Sequence, residues 1–278
     1  NNIKIKNLKE LEVLYNPKKD EESKKRFEFI KKYLTTNKAE LFFADKSIFI
    51  EGDTERILLP TMMKKIDRLH ESEDKYIPLL SQNISIIEVG AYSHIFDKLL
   101  DFLGIKTLII TDIDFTKKVE EDRNGTKKVK YIKCEKQEAT NTSNQSIKTF
   151  LNTSELRLIL KHKQIISKNN VNEWIENEKG QIYISFQKEE NKYWARSFED
   201  AFIAINIGFI MDNKENFTSL QNLSEIKENT EEYYEIAERC IKKKSSFATD
   251  ILYNTNEELN NWEIPKYIKE GLEWISKE

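Results

Sequence analysis

Two short apolar runs, each ending in acidic residues, constrain this chain more than anything else in it. Ser47-Ile48-Phe49-Ile50 leads into Glu51-Gly52-Asp53-Thr54-Glu55, and Thr107-Leu108-Ile109-Ile110 leads into Thr111-Asp112-Ile113-Asp114. Both runs read as short buried strands. An amphipathic helix from Ile57 to Leu69 follows the first. Ile84 to Val89 reads as a further strand closed by Gly90, and helical spacing then runs through Ile95, Phe96, Leu99, Leu100 and Leu103 to a stop at Gly104. Strands alternating with helices imply a parallel sheet with right-handed crossovers. Ligands of such sheets bind at the carboxyl ends of the strands, where both acidic motifs fall.

Glu51 stands at a strand end and Glu55 in the first helical turn, with Gly52 expected to let the backbone turn sharply between them. That places both carboxylates over one spot beside a helix N-terminus. Asp112 and Asp114, two apart on extended chain, are expected to project on the same side. Hard oxygen ligands of this kind suit Mg2+ or Mn2+. Two such ions about 4 Å apart can clamp the attacking and leaving oxygens of a phosphodiester. Taken singly, each motif has a plainer reading: Glu55 complements a helix dipole, and Asp112 and Asp114 are loop acids after a strand.

The 278 residues suffice for one large domain or two modest ones, and 7 Gly with 4 Pro favour long elements. The formal net charge of -3 means that nucleic-acid binding must come from local basic patches. Two such tracts stand out. One holds Lys117, Lys118, Arg123, Lys127, Lys128, Lys130, Lys133 and Lys136; the other holds Arg157, Lys161, Lys163 and Lys168. Each could track a phosphate backbone or simply be a solvated face. Cys134 and Cys240 form no Cys-x-x-Cys or Cys/His cluster, which excludes a zinc module and a disulfide framework and suits a reducing, cytoplasmic setting. No apolar run approaches the roughly 20 residues of a membrane span. His70, His94 and His162 are scattered, and no Ser/His/Asp or Cys/His arrangement suggests a nucleophile.

The chain opens on Asn1 and a polar, lysine-rich stretch with a helical pattern through Phe27, Phe29, Ile30, Tyr33 and Leu34, so a larger parent protein is expected upstream. After Asp114 the strand–helix alternation breaks. A Ser/Thr/Asn-rich stretch, Thr140 to Ser146, leads into expected helical segments, and Gln181 to Gln187 alternates as a strand. Ser197 starts an apolar helix, another helix lies near Ser246 to Leu252, and an aromatic-bearing tail runs from Trp262 to Trp274.

A glutamate after a first strand and a DxD after a third resemble the Toprim domain. The string Glu40-Leu41-Phe42-Phe43-Ala44-Asp45-Lys46, followed by Ile50-Glu51-Gly52-Asp53-Thr54-Glu55-Arg56, more specifically resembles the C-terminal half of OLD-family (overcoming lysogenization defect) nucleases, which include Gabija-type defence nucleases. Arg196-Ser197-Phe198-Glu199-Asp200-Ala201-Phe202, Lys244-Ser245-Ser246-Phe247-Ala248 and the loop Thr142-Ser143-Asn144 agree with that resemblance, which covers roughly residues 40–275. It implies an α/β fold: a Toprim-like central parallel sheet flanked by helices, with a helical, basic insertion. The implied organisation is 1–39 as the end of an upstream ATPase connection, 40–116 as the first part of the core, 117–180 as the insertion, 181–256 as core completion and 257–278 as a helical tail.

The resemblance also implies roles. Glu51 and Glu55 would be metal ligands, Asp112 a central ligand, Asp114 a direct or water-mediated one, and Glu199 would complete a second metal site. Lys244 would neutralise charge developing on the phosphate or leaving oxygen. From the residues alone, Glu199 could simply favour the dipole of a helix capped by Ser197 with Asp200, and Asp200 competes for the ligand role. Lys244 closes the run Lys242-Lys243-Lys244, ordinarily a solvated face. Family members carry an ABC-type ATPase domain first, and no Gly-x-x-x-x-Gly-Lys-Ser/Thr loop is found here, so ATP would act only through that upstream part. The implied activity is DNA endonuclease cleavage with two Mg2+ or Mn2+ ions, in phage defence or DNA processing, with a homodimer or higher oligomer formed through the parent. Two other readings compete: a non-catalytic Toprim-like DNA-binding or sensing module, and a primase or topoisomerase, for which none of the 11 Tyr marks a nucleophile.

Overall fold

Two helices, α1 (Leu8–Tyr15) and α2 (Glu21–Asn37), precede β1 (Lys46–Ile50), α3 (Asp53–Leu69), β2 (Ile84–Glu88), α4 (Asp97–Leu103) and β3 (Lys106–Ile110). The computed structural model describes residues 7–37, 39–123, 126–228, 230 and 232–277. The first six residues of the lysine-rich start, and the side chains of Arg123 and Lys127 in the first basic tract, lie outside the described residues. Beyond β3 come β4 (Phe115–Arg123), β5 (Thr126–Lys133), β6 (Asn141–Thr142), α5 (Gln145–Phe150), α6 (Leu156–Ile159), β7 (Ile165–Lys168), β8 (Trp174–Glu176) and β9 (Ile182–Ser185). Among the described residues a small hairpin, β10 (Glu189–Glu190) and β11 (Tyr193–Trp194), and then five α-helices follow: α7 (Phe198–Ile205), α8 (Ile207–Asn213), α9 (Tyr233–Cys240), α10 (Lys244–Tyr253) and α11 (Lys266–Ser276).

The central sheet runs β2-β1-β3-β9-β7-β8. Its first four strands are parallel, as the sequence pattern requires, and β7 and β8 extend it antiparallel. The apolar runs are continuous because helices cover both faces. Along β1, Ile48 and Ile50 face one core while Phe49 faces the other; along β3, Leu108 and Ile110 oppose Ile109 in the same way. Residues of α3, α7, α10 and α11 close the first face, and residues of α1, α2, α4, α5 and α6 close the second. The β1-to-β2 crossover uses α3 on one face, and the β2-to-β3 return uses α4 on the other. Among the described residues, no helix is long and apolar enough to cross a membrane.

The segment expected as a helical, basic insertion is built largely of strands. β4 and β5 form an antiparallel hairpin, with β6 added along β4. Cross-strand pairing sets Glu121 opposite Lys128, and the β-branched Val119 and Val129 lie within the ladder. Alternating charge there suits a solvated two-stranded ribbon better than a helix with one apolar face. Among the described residues of this segment only α5 and α6 are α-helical, and β7 and β8 belong to the central sheet. At the other end, α1 and α2 are part of the fold: Leu11, Tyr15, Ile30 and Leu34 are buried, and the Tyr15 hydroxyl donates to Ile95 O at 2.7 Å. The aromatic tail serves packing, with Trp262 and Tyr267 both buried.

Candidate active site

Four elements deliver carboxylates to one place. Glu51 follows β1, Glu55 lies in the first turn of α3, Asp112 follows β3, and Glu199 lies in the first turn of α7. Lys244 opens α10, which packs against α3. These five side chains line one cavity of about 350 Å3 together with Thr54 and Ser245. Helix N-termini aimed at the acids supply partial positive charge. The chain bends at Glu51 and Gly52, but the bend does not require glycine: the Gly52 φ of -148° is extended backbone open to any residue. A Cβ there would come 3.6 Å from Glu55 Oε2, an ordinary contact.

Glu51, Asp112 and Glu199 each have their own donors. Glu51 Oε1 accepts from the Thr111 hydroxyl and, at 3.0 Å, from Asn144 Nδ2. The same Asn144 amide nitrogen donates to Asp112 O at 2.8 Å and lies 2.7 Å from Thr111 Oγ1. Asn144 Oδ1 meanwhile caps α5 by accepting from Ile147 N at 3.0 Å. Asp112 Oδ1 accepts from Gln187 Nε2 at 2.6 Å, and Gln187 Oε1 accepts from Ile113 N at 2.8 Å. Glu199, almost wholly buried, accepts from Lys244 Nζ at 2.6 Å and from Thr54 Oγ1 at 3.2 Å.

Two of the expected assignments are sorted by this geometry. Asp200 forms a capping box: its carboxylate accepts from the backbone N–H of Ser197 and of Arg196 and from the Tyr193 hydroxyl. It is a helix-start residue, while Glu199 faces the cavity. Asp114 does not project beside Asp112. Its φ of +48° breaks the extended alternation, and its carboxylate lies 3.7 Å from the guanidinium of Arg196, outside the cavity lining. Arg196 is itself buried and donates to Phe115 O and Cys134 O. His94, near the second strand end, stands outside the cavity lining as well.

The electrostatics are those of an anionic cluster short of positive charge. Burial, and then repulsion from Glu51, Glu55 and Glu199, pushes the Asp112 carboxyl well above the usual range. Burial raises Glu55 to about 7, with Glu199 and Glu51 adding to the shift and Lys244 opposing it. Glu51 is raised chiefly by burial, against its hydrogen bonds from Thr111 and Asn144. Burial works against the Lys244 charge, yet Glu199, followed by Asp112 and Glu55, raises its pKa overall. A bound cation would reverse this penalty, because several hard oxygens held close together are what Mg2+ or Mn2+ coordinates. The donor set fits such an ion. The side-chain positions do not yet form a chelate: among the described residues no three acidic, cysteine or histidine groups converge closely enough.

The sequence reading did not single out Thr54, Thr111 or Gln187, and it noted Asn144 only within a loop. A Gln ending an alternating strand and an Asn before a helical segment are too common to signal a site alone.

The stretch that builds most of this arrangement, residues 42–114, matches the model of the overcoming lysogenization defect protein-like Toprim domain. Over those residues the chain is similar to an OLD-like Toprim domain. It is also similar to Endonuclease GajA of Bacillus cereus (strain HuB5-5), with 31% identity over 94% of this chain. The chain spans 36% of that relative's length. Among solved structures, the C-terminal region of the Burkholderia pseudomallei OLD protein is similar at 19% identity and a TM-score of 0.42, covering 84% of this chain and 98% of that one. The corresponding region from Xanthomonas campestris pv. campestris gives 18% and 0.44, over 84% and 95% of the two chains. The Toprim match contains Glu51, Glu55, Asp112 and Asp114; Glu199 and Lys244 lie beyond it and reach the same cavity through α7 and α10.

Proposed function

We propose that this chain is the nuclease part of an OLD-type, ATP-dependent endonuclease and hydrolyses phosphodiester bonds of DNA with Mg2+ or Mn2+. The single observation that carries the reading is the convergence of Glu51, Glu55, Asp112, Glu199 and Lys244 on one cavity at the carboxyl ends of β1 and β3. Similarity to an OLD-like Toprim domain and to a protein named as an endonuclease points the same way.

In this reading Glu51, Glu55, Asp112 and Glu199 would hold two divalent ions, and Asp114, beside Arg196 outside the cavity lining, would reach them through water, or directly on leaving Arg196. Such ions, when bound, activate water and neutralise the phosphate. The chain's own residues supply the rest. Thr111 and Asn144 orient Glu51, and Gln187 orients Asp112, as outer partners of a metal site do. Lys244 moves from Glu199 to the developing negative charge on the phosphate or leaving oxygen. Control by ATP, action in phage defence or DNA processing, and assembly into oligomers would belong to the longer parent protein, in a cytoplasmic setting.

The test is conversion of supercoiled plasmid to nicked or linear DNA. Wild-type chain with Mg2+ or Mn2+ should cleave, and folded Glu51→Ala and Asp112→Ala should not. Folded wild-type protein that binds DNA but never cleaves it, under any divalent ion and with or without its upstream part, would establish a non-catalytic binding module instead.

A further inference from the structure

A second cavity, of about 500 Å3, has Phe115, Tyr193, Trp194, Arg196, Tyr233 and Tyr234 in its lining. Nothing in the proposed hydrolysis uses it. Its walls come from distant parts of the chain. Tyr193 and Trp194 follow a tight turn in which Asn191 and Lys192 both have positive φ, 51° and 66°, and Tyr233 and Tyr234 open α9. Tyr193 and Tyr233 meet edge to face at 4.9 Å.

The Tyr193, Trp194, Tyr233 and Tyr234 rings are half-buried around an opening, unlike the sealed aromatics of the core such as Phe115. Cations lie over them. Lys136 Nζ sits 5.2 Å from the Trp194 ring centre, Lys133 Nζ 5.0 Å from that of Tyr234, and the Arg196 guanidinium 5.5 Å from Tyr234. Glu135 and Glu235 also line the cavity, near enough that Glu235 raises the Glu135 carboxyl's pKa, after the effect of burial. Rings for stacking, ammonium groups for a phosphate and carboxyl oxygens for an amino or imino edge together match one nucleotide. Arg196 relates this cavity to the acids, since it lines the cavity and lies 3.7 Å from Asp114, two residues from Asp112.

We propose that this cavity receives one unstacked base of the DNA strand being cut, beside the phosphate held at the carboxylates. This rests on the nuclease reading and extends it to a substrate class. A base that must leave its stack costs least in single-stranded, mismatched or flapped DNA, so such DNA is the preferred substrate. One face of the β4–β5 hairpin carries Lys117, Lys128 and Lys130, along which the remaining backbone would run.

The experiment uses the whole chain and short oligonucleotides carrying 2-aminopurine, with matched abasic oligonucleotides of the same charge. Binding is read in Ca2+ and cleavage in Mg2+. Wild-type protein should quench 2-aminopurine and bind the base-bearing strand about ten-fold more tightly than the abasic one. Trp194→Ala and Tyr234→Ala should erase that difference, and Trp194→Phe should keep most of it. Equal binding of both strands by wild-type protein overturns the proposal without any variant having to fold. Deoxycytidine monophosphate that competes at the oligonucleotide's own concentration range overturns the assignment to a DNA strand and points to a free nucleotide. Base-dependent binding with no cleavage under any divalent ion leaves the pocket standing and removes the nuclease reading. Cleavage with no base dependence does the reverse.

Discussion

Lys244 reaches back from the first position of α10 to place its ammonium 2.6 Å from Glu199 Oε2. The two ends of this pair live in different surroundings: the Lys244 side chain is 63% exposed and that of Glu199 only 4%. A half-exposed pair stabilises little, because solvent screens it and the long side chain loses freedom. Its value lies in chemistry, as a mobile cation parked at an anionic cavity. We expect Lys244→Ala to cut the cleavage rate by about 100-fold or more, the usual scale for removing one transition-state charge partner. The melting temperature should move by no more than a few degrees. Plasmid nicking and thermal melts on the same preparation check both, and an unaltered rate would reduce Lys244 to a simple partner of Glu199.

The acidic cavity should make the metal-free protein less stable as pH rises. Burial lifts Glu55 from an ordinary 4.5 to about 7 in the folded chain, and Asp112 and Glu51 shift in the same direction. A carboxyl whose folded pKa is raised holds its proton more tightly folded than unfolded. Its stabilising contribution is complete below the unfolded value and fades as pH climbs through the folded one. The window for Glu55 therefore runs from about pH 4.5 to beyond 7. Urea midpoints measured in EDTA should fall across that range for wild type and fall less for Glu55→Gln. Adding Mg2+ at pH 8 should raise the wild-type midpoint more than that of the variant. Parallel pH curves for the two proteins would show that Glu55 is not electrostatically burdened.

One glycine should be intolerant for packing reasons alone. Gly271 in α11 lies so close to β3 that a Cβ would meet Leu108 Cδ1 at 2.7 Å, and Leu108 is fully buried. Gly271→Ala gains up to about 1 kcal/mol of helix propensity. Overpacking a filled core costs roughly 1–3 kcal/mol, so the variant should be less stable overall. Gly271→Val should be worse, because branching at Cβ adds bulk at the contact. Denaturant midpoints at constant slope will read both, and a stabilised Gly271→Ala would mean that α11 can lift from the sheet freely.

What the sequence made legible is the part governed by periodicity. β1, α3, β2, α4 and β3 follow from runs buried on both faces and from the stop at Gly104, whose φ of +65° is the expected left-handed cap. Glu51, Glu55 and Asp112 were readable for the same reason: a strand end fixes where its next residue goes. Asp114 was not, because one left-handed residue redirected it to Arg196. The β4–β5 ribbon carries its own signal in the Asn124-Gly125 sequence between two strand-like runs, the strongest short-range mark of a hairpin. Lysine abundance obscured it. Glu199 and Lys244 could be joined to the site only through family resemblance, since no local pattern says which cavity a helix's first turn will face. The outer partners, Thr111, Asn144 and Gln187, were hidden because hydrogen bonds across three chain segments leave no spacing to read.

Asn144 is the outer partner most open to test, because its two amide atoms do different jobs. The nitrogen holds Glu51, Thr111 and the Asp112 carbonyl, whereas the oxygen caps α5. Asn144→Ala removes both. Loss of the cap alone costs about 1 kcal/mol, and loss of the amide nitrogen frees Glu51 to leave its place. Asn144→Asp keeps an acceptor for the cap but puts a carboxylate where Glu51 needs a donor. We therefore expect the Asp variant to retain more stability at pH 8 than the Ala variant. Both should bind Mn2+ about 10- to 100-fold more weakly than wild type, the range found when an outer partner of a metal ligand is lost. Calorimetric Mn2+ titration beside thermal melts separates the two effects. Wild-type Mn2+ affinity in either variant would mean that Thr111 alone is enough to hold Glu51.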